Sequence, residues 1–253
     1  MSLSLSGTVA LVTGASSGIG EATARSLASL GATVALVARR EERLKGLADD
    51  IAATGGLALP LALDVTDPEQ ARSAVEQTVA ALGRLDIVIN NAGVMLLGGV
   101  VDAPVEEWER MVSLNVMGLL YVAHAAVPHL LKAASEGPRQ VADLVNVSSV
   151  AGRRINTLSG VYSLTKYGVG AFSEALRQEV TGRHVRVSVI EPGAVNTELR
   201  DHLRPEVREQ LARRSQFEAM EAEDIADAIA YIVTRPRRVA INELLVRPTG
   251  QES

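Results

Sequence analysis

The residues with the clearest chemical potential are Tyr162 and Lys166, which lie four residues apart in the segment Tyr-Ser-Leu-Thr-Lys. If this segment is helical, the spacing places the phenol and the ammonium on the same face of the helix. A cation beside a phenol favours the phenolate, so a side chain with an ordinary pKa of about 10 could exchange a proton near neutral pH. We therefore expect Tyr162 to donate or accept a proton, with Lys166 lowering its pKa.

A glycine-rich turn near the N-terminus could hold the partner of this proton chemistry. Gly14, Gly18 and Gly20 stand in Thr-Gly-Ala-Ser-Ser-Gly-Ile-Gly, between a predicted strand and a helix predicted over 19–30. Glycines in such a turn let the backbone approach a pyrophosphate, whose charge is attracted by the helix N-terminus. A plain tight turn is the other interpretation. The strand-turn-helix setting favours a bound dinucleotide, and the lack of a Gly-Lys-Ser/Thr ending argues against a nucleoside triphosphate loop.

The end of the second predicted strand indicates which dinucleotide could bind. An acidic residue there would bind a free ribose 2′-hydroxyl, but the chain reads Ala38, Arg39, Arg40. Guanidinium groups match phosphate through charge-assisted bonds, so this pair favours the 2′-phosphate of NADP(H). A solvated basic pair ahead of an acidic helix start is the alternative. Asp64, after the third strand, is placed to accept from the adenine amino group, and the turn 90–93 ends the fourth strand beside the cofactor.

Seven short apolar runs, separated by longer helical stretches, must position these residues. They predict strands over 8–12, 33–38, 57–63, 86–90, 143–148, 185–190 and 243–246. Most lack polar alternation, which indicates a parallel sheet covered by helices on both faces. We predict an α/β fold, in which residues 1–253 form a single doubly wound Rossmann-type domain with a seven-stranded parallel sheet.

Composition argues against several other function classes. The chain has 253 residues, of which 47% are hydrophobic and 3% aromatic, so we expect one aliphatic core. It contains no cysteine, which rules out thiolate nucleophiles and disulfides and favours a cytoplasmic location. The net charge of −5, with acids and bases interspersed, indicates no nucleic-acid partner.

Metal binding and membrane insertion are not predicted either. The four histidines, His124, His129, His184 and His202, show no metal-ligand spacing, so we expect no catalytic metal. The first seven residues lack the basic start of a signal peptide, and no apolar run suggests a membrane span.

A helix predicted over 111–131 is apolar on nearly every side. A helix that is hydrophobic all round is buried all round. It is either a central core helix, or it packs on the sheet with one side and on a second subunit with the other. We favour the second interpretation and expect a homo-oligomer, a dimer or tetramer, in whose interface the helix of Tyr162 could also pack.

Taken in order, these motifs resemble those of the short-chain dehydrogenase/reductase family. The matching positions are 13–20, 90–93, Asn115, Ser149, Tyr162, Lys166, Pro192-Gly193 and Thr197, and they extend over nearly the whole chain. The resemblance implies that Tyr162 is the general acid in reduction and the base in oxidation, while Lys166 also holds the nicotinamide ribose. Glu191, just before Pro192, departs from the Asn common in the family.

The resemblance also implies roles for two further residues. Ser149, or Ser148 as the less favoured alternative, would hydrogen-bond the substrate oxygen where negative charge develops. Asn115 would anchor a water through which Lys166 connects to solvent.

The implied cofactor site comprises Thr13, Gly14, Ser16, Ser17, Gly18, Ile19, Gly20, Ala38, Arg39, Arg40, Asp64, Val65, Asn91, Ala92, Gly93, Tyr162, Lys166, Pro192, Gly193, Val195 and Thr197. The expected substrate contacts are Met95, Ser149, Val150, Ala194, Leu199, Leu203 and Phe217. Residues 197–220 combine many charges with few apolar anchors and follow the Pro192-Gly193 turn, so we predict a lid over the pocket. An ordinary surface helix is the other interpretation.

Three functions remain open at this point. We favour an NADPH-dependent reductase that converts an aldehyde or ketone to an alcohol, similar to the aldehyde reductases of the family. The second is an NADP-dependent dehydrogenase of a small hydroxy acid or secondary alcohol. The third is a protein that senses NADP or acts as a scaffold without turnover, against which the complete set of Asn115, Ser149, Tyr162 and Lys166 argues.

Overall fold

The computed structural model describes residues 4–214 and 217–252, with the backbone alone at 212–214. Residues 215 and 216 of the predicted lid therefore lie outside the described part of the chain. The strands are β1 Val9–Thr13, β2 Thr33–Ala38, β3 Leu57–Ala62, β4 Ile87–Asn90, β5 Ala142–Val147, β6 Val185–Pro192 and β7 Glu243–Val246. The helices are α1 Gly18–Ser29, α2 Glu41–Ala53, α3 Pro68–Leu82, α4 Val105–Val112, α5 Leu119–Glu136, α6 Gly160–Val180, α7 Pro205–Arg214 and α8 Ala222–Val233.

The seven strands form one parallel sheet in the order β3-β2-β1-β4-β5-β6-β7. This order reverses direction between β1 and β4, as in a doubly wound fold. The predicted fold class is therefore confirmed, as a single domain. β6 runs two residues past its predicted end, because Glu191 and Pro192 pair with Leu245 and Val246 of β7.

Alternate residues of each strand face opposite layers of helices. In β1, Ala10 and Val12 pack in a cluster with residues of α1, α2 and α8, whereas Leu11 packs with residues of α3, α5 and α6. Both faces of β1, β4, β5 and β6 are buried, which is why these strands read as largely continuous apolar runs. The core is aliphatic, as the composition predicts.

The apolar helix predicted over 111–131 is interrupted. A π-helical turn, Ser113–Gly118, separates α4 from α5. Contrary to the sequence-based expectation, the combined helix Val105–Glu136 is long and apolar enough to cross a membrane by length and composition. Val122, Ala126 and Leu130 of this helix are fully buried against the sheet, so a core helix accounts for the composition.

Parallel strands bring their carboxyl ends to one edge of the sheet. Thr13, Ala38, Asn90, Val147 and Pro192 all end their strands there. This topology gathers the predicted site residues, which are spread over most of the sequence, at one edge.

Candidate active site

The glycine turn after β1 has no room for a Cβ atom at any of its three glycines. Gly14 has a φ of +66°, and a Cβ there would lie 2.9 Å from the Cα of Ala92. A Cβ on Gly20 would lie 2.3 Å from the carbonyl oxygen of Gly14, and one on Gly18 would lie 3.0 Å from Cγ2 of Thr197. The turn therefore packs closely against its neighbours and leads directly into the N-terminus of α1. That arrangement suits an anion such as a pyrophosphate.

Thr13 fixes this turn beside the end of β4. Its hydroxyl oxygen accepts hydrogen bonds from the backbone N–H groups of Asn91 at 3.0 Å and Ala92 at 3.1 Å. The Asn91 side chain donates in return to the carbonyl oxygen of Thr13 at 3.1 Å. Thr13 and Gly20 hold the site from behind and do not line the cavity that it surrounds.

The two arginines after β2 have different environments. Arg40 donates to the hydroxyl oxygen of Ser16 at 3.0 Å and to that of Ser17 at 2.7 Å, so it lies along the glycine turn. Arg39 has a side chain that is 65% exposed, and its nearest carboxylate contact is Asp64 at 3.8 Å. Its guanidinium is thus open to an incoming phosphate.

Glu198 joins the basic loop to the segment that follows β6. Its carboxylate accepts from Arg40 at 2.8 Å and from Arg43 at 2.5 Å. These hydrogen bonds, first from Arg40 and then from Arg43, lower the pKa of Glu198 to about 2. A negative charge therefore stands beside both guanidinium groups.

Tyr162 and Lys166 lie one turn apart on α6, and both are buried. Lys166 Nζ is 5.8 Å from the centre of the Tyr162 ring. Burial raises the pKa of Tyr162 to about 12, while a hydrogen bond with Ser149 opposes that shift. Lys166 is not among the causes of this shift, which desolvation of the phenolate dominates, so the expectation that Lys166 lowers the pKa of Tyr162 stays a prediction.

The ammonium of Lys166 is held by the sheet. It donates to the carbonyl oxygen of Val147 at 2.9 Å, and its burial lowers its pKa to about 8. Ser148 donates to the carbonyl oxygen of Lys166 at 3.1 Å, away from the phenol. Ser149 is therefore the serine that meets Tyr162, as the family spacing implies.

Asn115 lies in the π-helical turn and supports the site from behind. Its side chain accepts from the N–H of Val94 and donates to the carbonyl oxygen of the same residue, both at 2.8 Å. It also donates to Thr165 at 3.3 Å. A Cβ on Gly93 would lie 3.3 Å from Asn115 Oδ1 and 3.9 Å from Lys166 Nζ, so the two side chains flank Gly93. The predicted water-anchoring role of Asn115 stays a prediction.

A cavity of about 680 Å³ connects the glycine turn with Tyr162. Most of the expected cofactor residues and six of the seven expected substrate residues line it. Leu203 does not line it. Its side chain is only 5% exposed, because it is turned into the protein interior, whereas Leu199 and Phe217 face the cavity.

Sequence reasoning missed several residues that also line the cavity. They include Asn156, Thr157, Leu158, Ser159, Glu198 and Gln251. Gln251 accepts a hydrogen bond from the N–H of Ala194 at 2.9 Å, which brings the C-terminal segment to the wall. Only Glu198, next to Thr197, stood beside a recognised motif. Within the described ranges, no three metal-ligating side chains of the acidic, histidine or cysteine type cluster together.

Comparisons with known proteins identify the family of the chain. A family model described as short chain dehydrogenase matches residues 8–208. An uncharacterized oxidoreductase of Staphylococcus aureus (strain USA300) is 37% identical over 240 residues, which is 95% of this chain and 96% of the relative. The closed form of serine dehydrogenase, solved with NADP+, is 32% identical, covers 97% of both chains and has a TM-score of 0.87.

A further solved structure is the 3-ketoacyl-(acyl-carrier-protein) reductase from Brucella melitensis in complex with NADH. It is 29% identical, with a TM-score of 0.84, and the match covers 96% of this chain and 98% of that one. The match of the family model and the identity to the curated oxidoreductase extend over most of the fold. The chain therefore belongs to the short-chain dehydrogenase/reductase family and is an oxidoreductase of the kind that uses a nicotinamide cofactor.

Proposed function

We propose that this protein is an NADPH-dependent reductase that converts an aldehyde or ketone to an alcohol. The observation that carries the proposal is the single cavity in which Ser149, Tyr162 and Lys166 meet the glycine turn and Arg39. The residues that could transfer a proton and the turn that could hold a dinucleotide therefore line the same cavity. Either feature without the other would not favour carbonyl reduction over simple binding.

The cofactor would be held by the turn at Gly14 and Gly18, by Arg39 at its 2′-phosphate, and by Lys166 and Thr197 at its nicotinamide end. The close-packed glycines and the exposed guanidinium of Arg39 support this fit. When bound, NADPH supplies the hydride for the carbonyl carbon. The serine dehydrogenase complex with NADP+ supports the same choice, whereas the reductase complex with NADH marks the alternative.

The residues of this chain would supply the proton and hold the oxygen. With a pKa of about 12, Tyr162 keeps its proton at neutral pH and can donate it to the carbonyl oxygen as the alcohol forms. The hydroxyl of Ser149 can donate to the same oxygen as negative charge develops. The buried ammonium of Lys166 can stabilise the phenolate that remains.

Sequence likeness suggests a narrower substrate class. The segments 90–98 and 190–193 and the ending Arg247-Pro248-Thr249 resemble clavulanic acid dehydrogenase, an NADPH-dependent aldehyde reductase. An aldehyde is therefore our first candidate substrate. The reverse reaction, oxidation of a small hydroxy acid or secondary alcohol, would use the same residues and is the second candidate, supported by the serine dehydrogenase relative.

Two features support the proposed lid and assembly. Leu199, Val207 and Phe217, all within 197–220, line the cavity, which supports a lid in this segment. On α6, Leu164 and Tyr167 are 62% and 42% exposed and lie on one face, which supports a homo-oligomer, a dimer or tetramer, in which a second copy covers them.

The decisive experiment is a screen of aldehydes, ketones, hydroxy acids and secondary alcohols with NADPH, NADH and their oxidised forms, followed at the nicotinamide absorbance. Turnover of an aldehyde or ketone with NADPH is the expected result. Tight NADPH binding without turnover of any compound would instead favour the sensing or scaffold function.

A further inference from the structure

An ion pair between a buried carboxylate and a partly exposed guanidinium connects two loops of the active site. Glu191, in β6 directly before Pro192, is only 4% exposed. Arg153 donates through Nε to Oε1 of Glu191 at 2.7 Å, and its Nη2 reaches the carboxylate of Glu243 in β7. Glu191 occupies the position at which the sequence departs from the Asn common in the family, and Arg153 explains how the chain accommodates a carboxylate there.

The arginine belongs to the loop that carries Ser149. The N–H of Gly152 donates to the carbonyl oxygen of Ser149 at 2.8 Å, and the N–H of Arg153 donates to that of Val150 at 3.0 Å. These bonds form a compact 3-10 turn directly after Ser149. A displacement of Arg153 should therefore also displace Ser149, which lies only four positions before it in the same turn.

The carboxylate belongs to the strand end that carries Gly193. Glu191 pairs with Leu245 and Pro192 with Val246 across the β6-β7 ladder, and the N–H of Gly193 donates to the carbonyl oxygen of Val246 at 2.7 Å. Gly193 and Ala194, which follow, line the same cavity as Ser149. The ion pair thus spans the two loops that bound the reacting centre.

Loss of Arg153 alone should be costly, because the carboxylate that it pairs with is buried. Oε2 of Glu191 is buried and has no hydrogen-bond partner among the residues that the structure describes. The Arg153 guanidinium is thus the only cation that the described residues place on this carboxylate. Removal of Arg153 alone leaves the buried charge of Glu191 uncompensated, whereas removal of both residues does not.

We infer that Arg153 and Glu191 are a positioning pair, which sets the separation between the Ser149 hydroxyl and the Gly193 turn at the nicotinamide end of the cofactor. Neither residue lines the cavity, so both act through the loops they join. The inference rests on the proposed function for the location of the nicotinamide. A displacement of about 1 Å between reacting groups is enough to slow a reaction about 100-fold.

The test compares Arg153→Met, Glu191→Gln and the double variant with wild type. Binding of NADPH is measured beside binding of adenosine 2′,5′-bisphosphate, which carries the 2′-phosphate but no nicotinamide. We expect Arg153→Met to weaken NADPH about 5-fold, to leave the bisphosphate within about 2-fold, and to lower kcat about 10- to 100-fold with little change in KM. The double variant should lose less than Arg153→Met alone.

The neighbouring arginine provides a matched control. Arg154 is exposed and makes no ion pair with any described residue, so Arg154→Met should match wild type in every measurement. If Arg153→Met does not fold, Glu191→Gln carries the test, because it keeps the size of the side chain and should show the same pattern at smaller amplitude.

Three results would overturn the inference: equal weakening of both ligands, additive losses in the double variant, or a lowered melting temperature with kcat and NADPH affinity unchanged. The binding measurements need no substrate. Suppose that no carbonyl compound is turned over, but Arg153→Met still weakens binding of NADPH and not of the bisphosphate. The proposed function then fails, and the inference about the positioning pair holds.

Discussion

Lys166 and Tyr162 lie one helical turn apart, yet burial is the largest cause of the pKa shift of each side chain. The ammonium is 5.8 Å from the ring centre and is bonded to the carbonyl oxygen of Val147. The pKa of Lys166 falls to about 8 and that of Tyr162 rises to about 12, in both cases because burial disfavours the charged form. Near neutral pH the phenol therefore keeps its proton, which is the form that a general acid in carbonyl reduction requires.

Tyr162→Phe tests that donor directly. The ring packs in a cluster with Val94, Leu96 and Met111, so the variant should fold and bind NADPH as wild type does. Without the hydroxyl, turnover should fall by about two to four orders of magnitude. Tyr167→Phe, on the exposed face of the same helix, is the control. Activity above a tenth of wild type in Tyr162→Phe would remove Tyr162 from its role.

The pKa of Lys166 predicts a pH-dependent stability. The pKa in the folded chain, about 8, lies below the ordinary 10.5, so between these values the unfolded chain binds more protons than the folded chain. Stability contributed by this group therefore rises with pH across that window, and the cost of the buried charge is fully present below pH 8. Lys166→Met removes the titration. Its stability relative to wild type should fall by about 3 kcal/mol between pH 7 and 10.5.

Urea unfolding of both proteins at several pH values measures this difference. Tyr162, whose folded pKa lies above its ordinary 10, makes both proteins less stable as pH rises from 10 to 12, and that effect cancels in the comparison. A constant difference from pH 7 to 10.5 would show that the ammonium is better solvated than its burial indicates.

The fold and most of the site could be predicted because their signals are local. Continuous apolar strands follow from burial on both faces, and the parallel topology brings strand-end residues such as Thr13 and Asn90 to one edge. The glycine turn and the Tyr162-Lys166 spacing also depend on only a few adjacent positions. Each of these signals lies within a short stretch of the sequence.

What could not be predicted depends on contacts between distant elements. Arg40 and Glu198 are 158 residues apart along the chain, and Arg153 and Glu191 are 38 apart, and neither spacing carries a periodic signal. The raised pKa of Tyr162 follows from burial by several elements at once. The orientation of Leu203 depends on how its short helical turn meets the interior, which hydrophobicity alone does not specify.

Arg39 should discriminate between the two cofactors. Its guanidinium lines the cavity and is largely exposed, with Asp64 at 3.8 Å as its only ion pair to a described residue. Arg39→Ala should therefore leave the fold intact and weaken NADPH by about 1.5 to 3 kcal/mol, with NADH almost unchanged. Lys45→Ala, which removes an exposed cation of α2 outside the cavity, is the control. An equal loss for both cofactors would make Arg39 a structural residue.

Glu198 should reduce the preference for NADPH over NADH. Its carboxylate is held ionised by Arg40 and Arg43, and it forms ion pairs with these two guanidinium groups near the expected position of the 2′-phosphate. Glu198→Gln removes this competing charge and should tighten NADPH about 3- to 10-fold without affecting NADH, an effect that salt should reduce. Asp201→Asn, which alters an exposed acid three residues on, is the control. Weaker NADPH binding would mean that Glu198 instead orients Arg40 toward the phosphate.

The last prediction concerns the segment 197–220 and its response to ligands. Several of the contacts that its described residues make with the rest of the protein are partly exposed ion pairs, those of Glu198 with Arg40 and Arg43 and that of Arg204 with Glu107 at 3.2 Å. Ion pairs of this kind add little stability, so the segment should open readily. NADPH, and more strongly a bound carbonyl substrate, should therefore slow tryptic cleavage after Arg200, Arg204 and Arg208.

Cleavage after Arg237 and Arg238, between α8 and β7, provides an internal control that should not respond to ligands. Leu199→Ala and Phe217→Ala should change substrate preference, because both side chains face the cavity. Leu203→Ala should instead speed cleavage with preference unchanged, because its side chain is buried and anchors the segment. Equal cleavage rates with and without ligands, together with unchanged preference in Leu199→Ala and Phe217→Ala, would show that the segment is an ordinary surface helix rather than a lid.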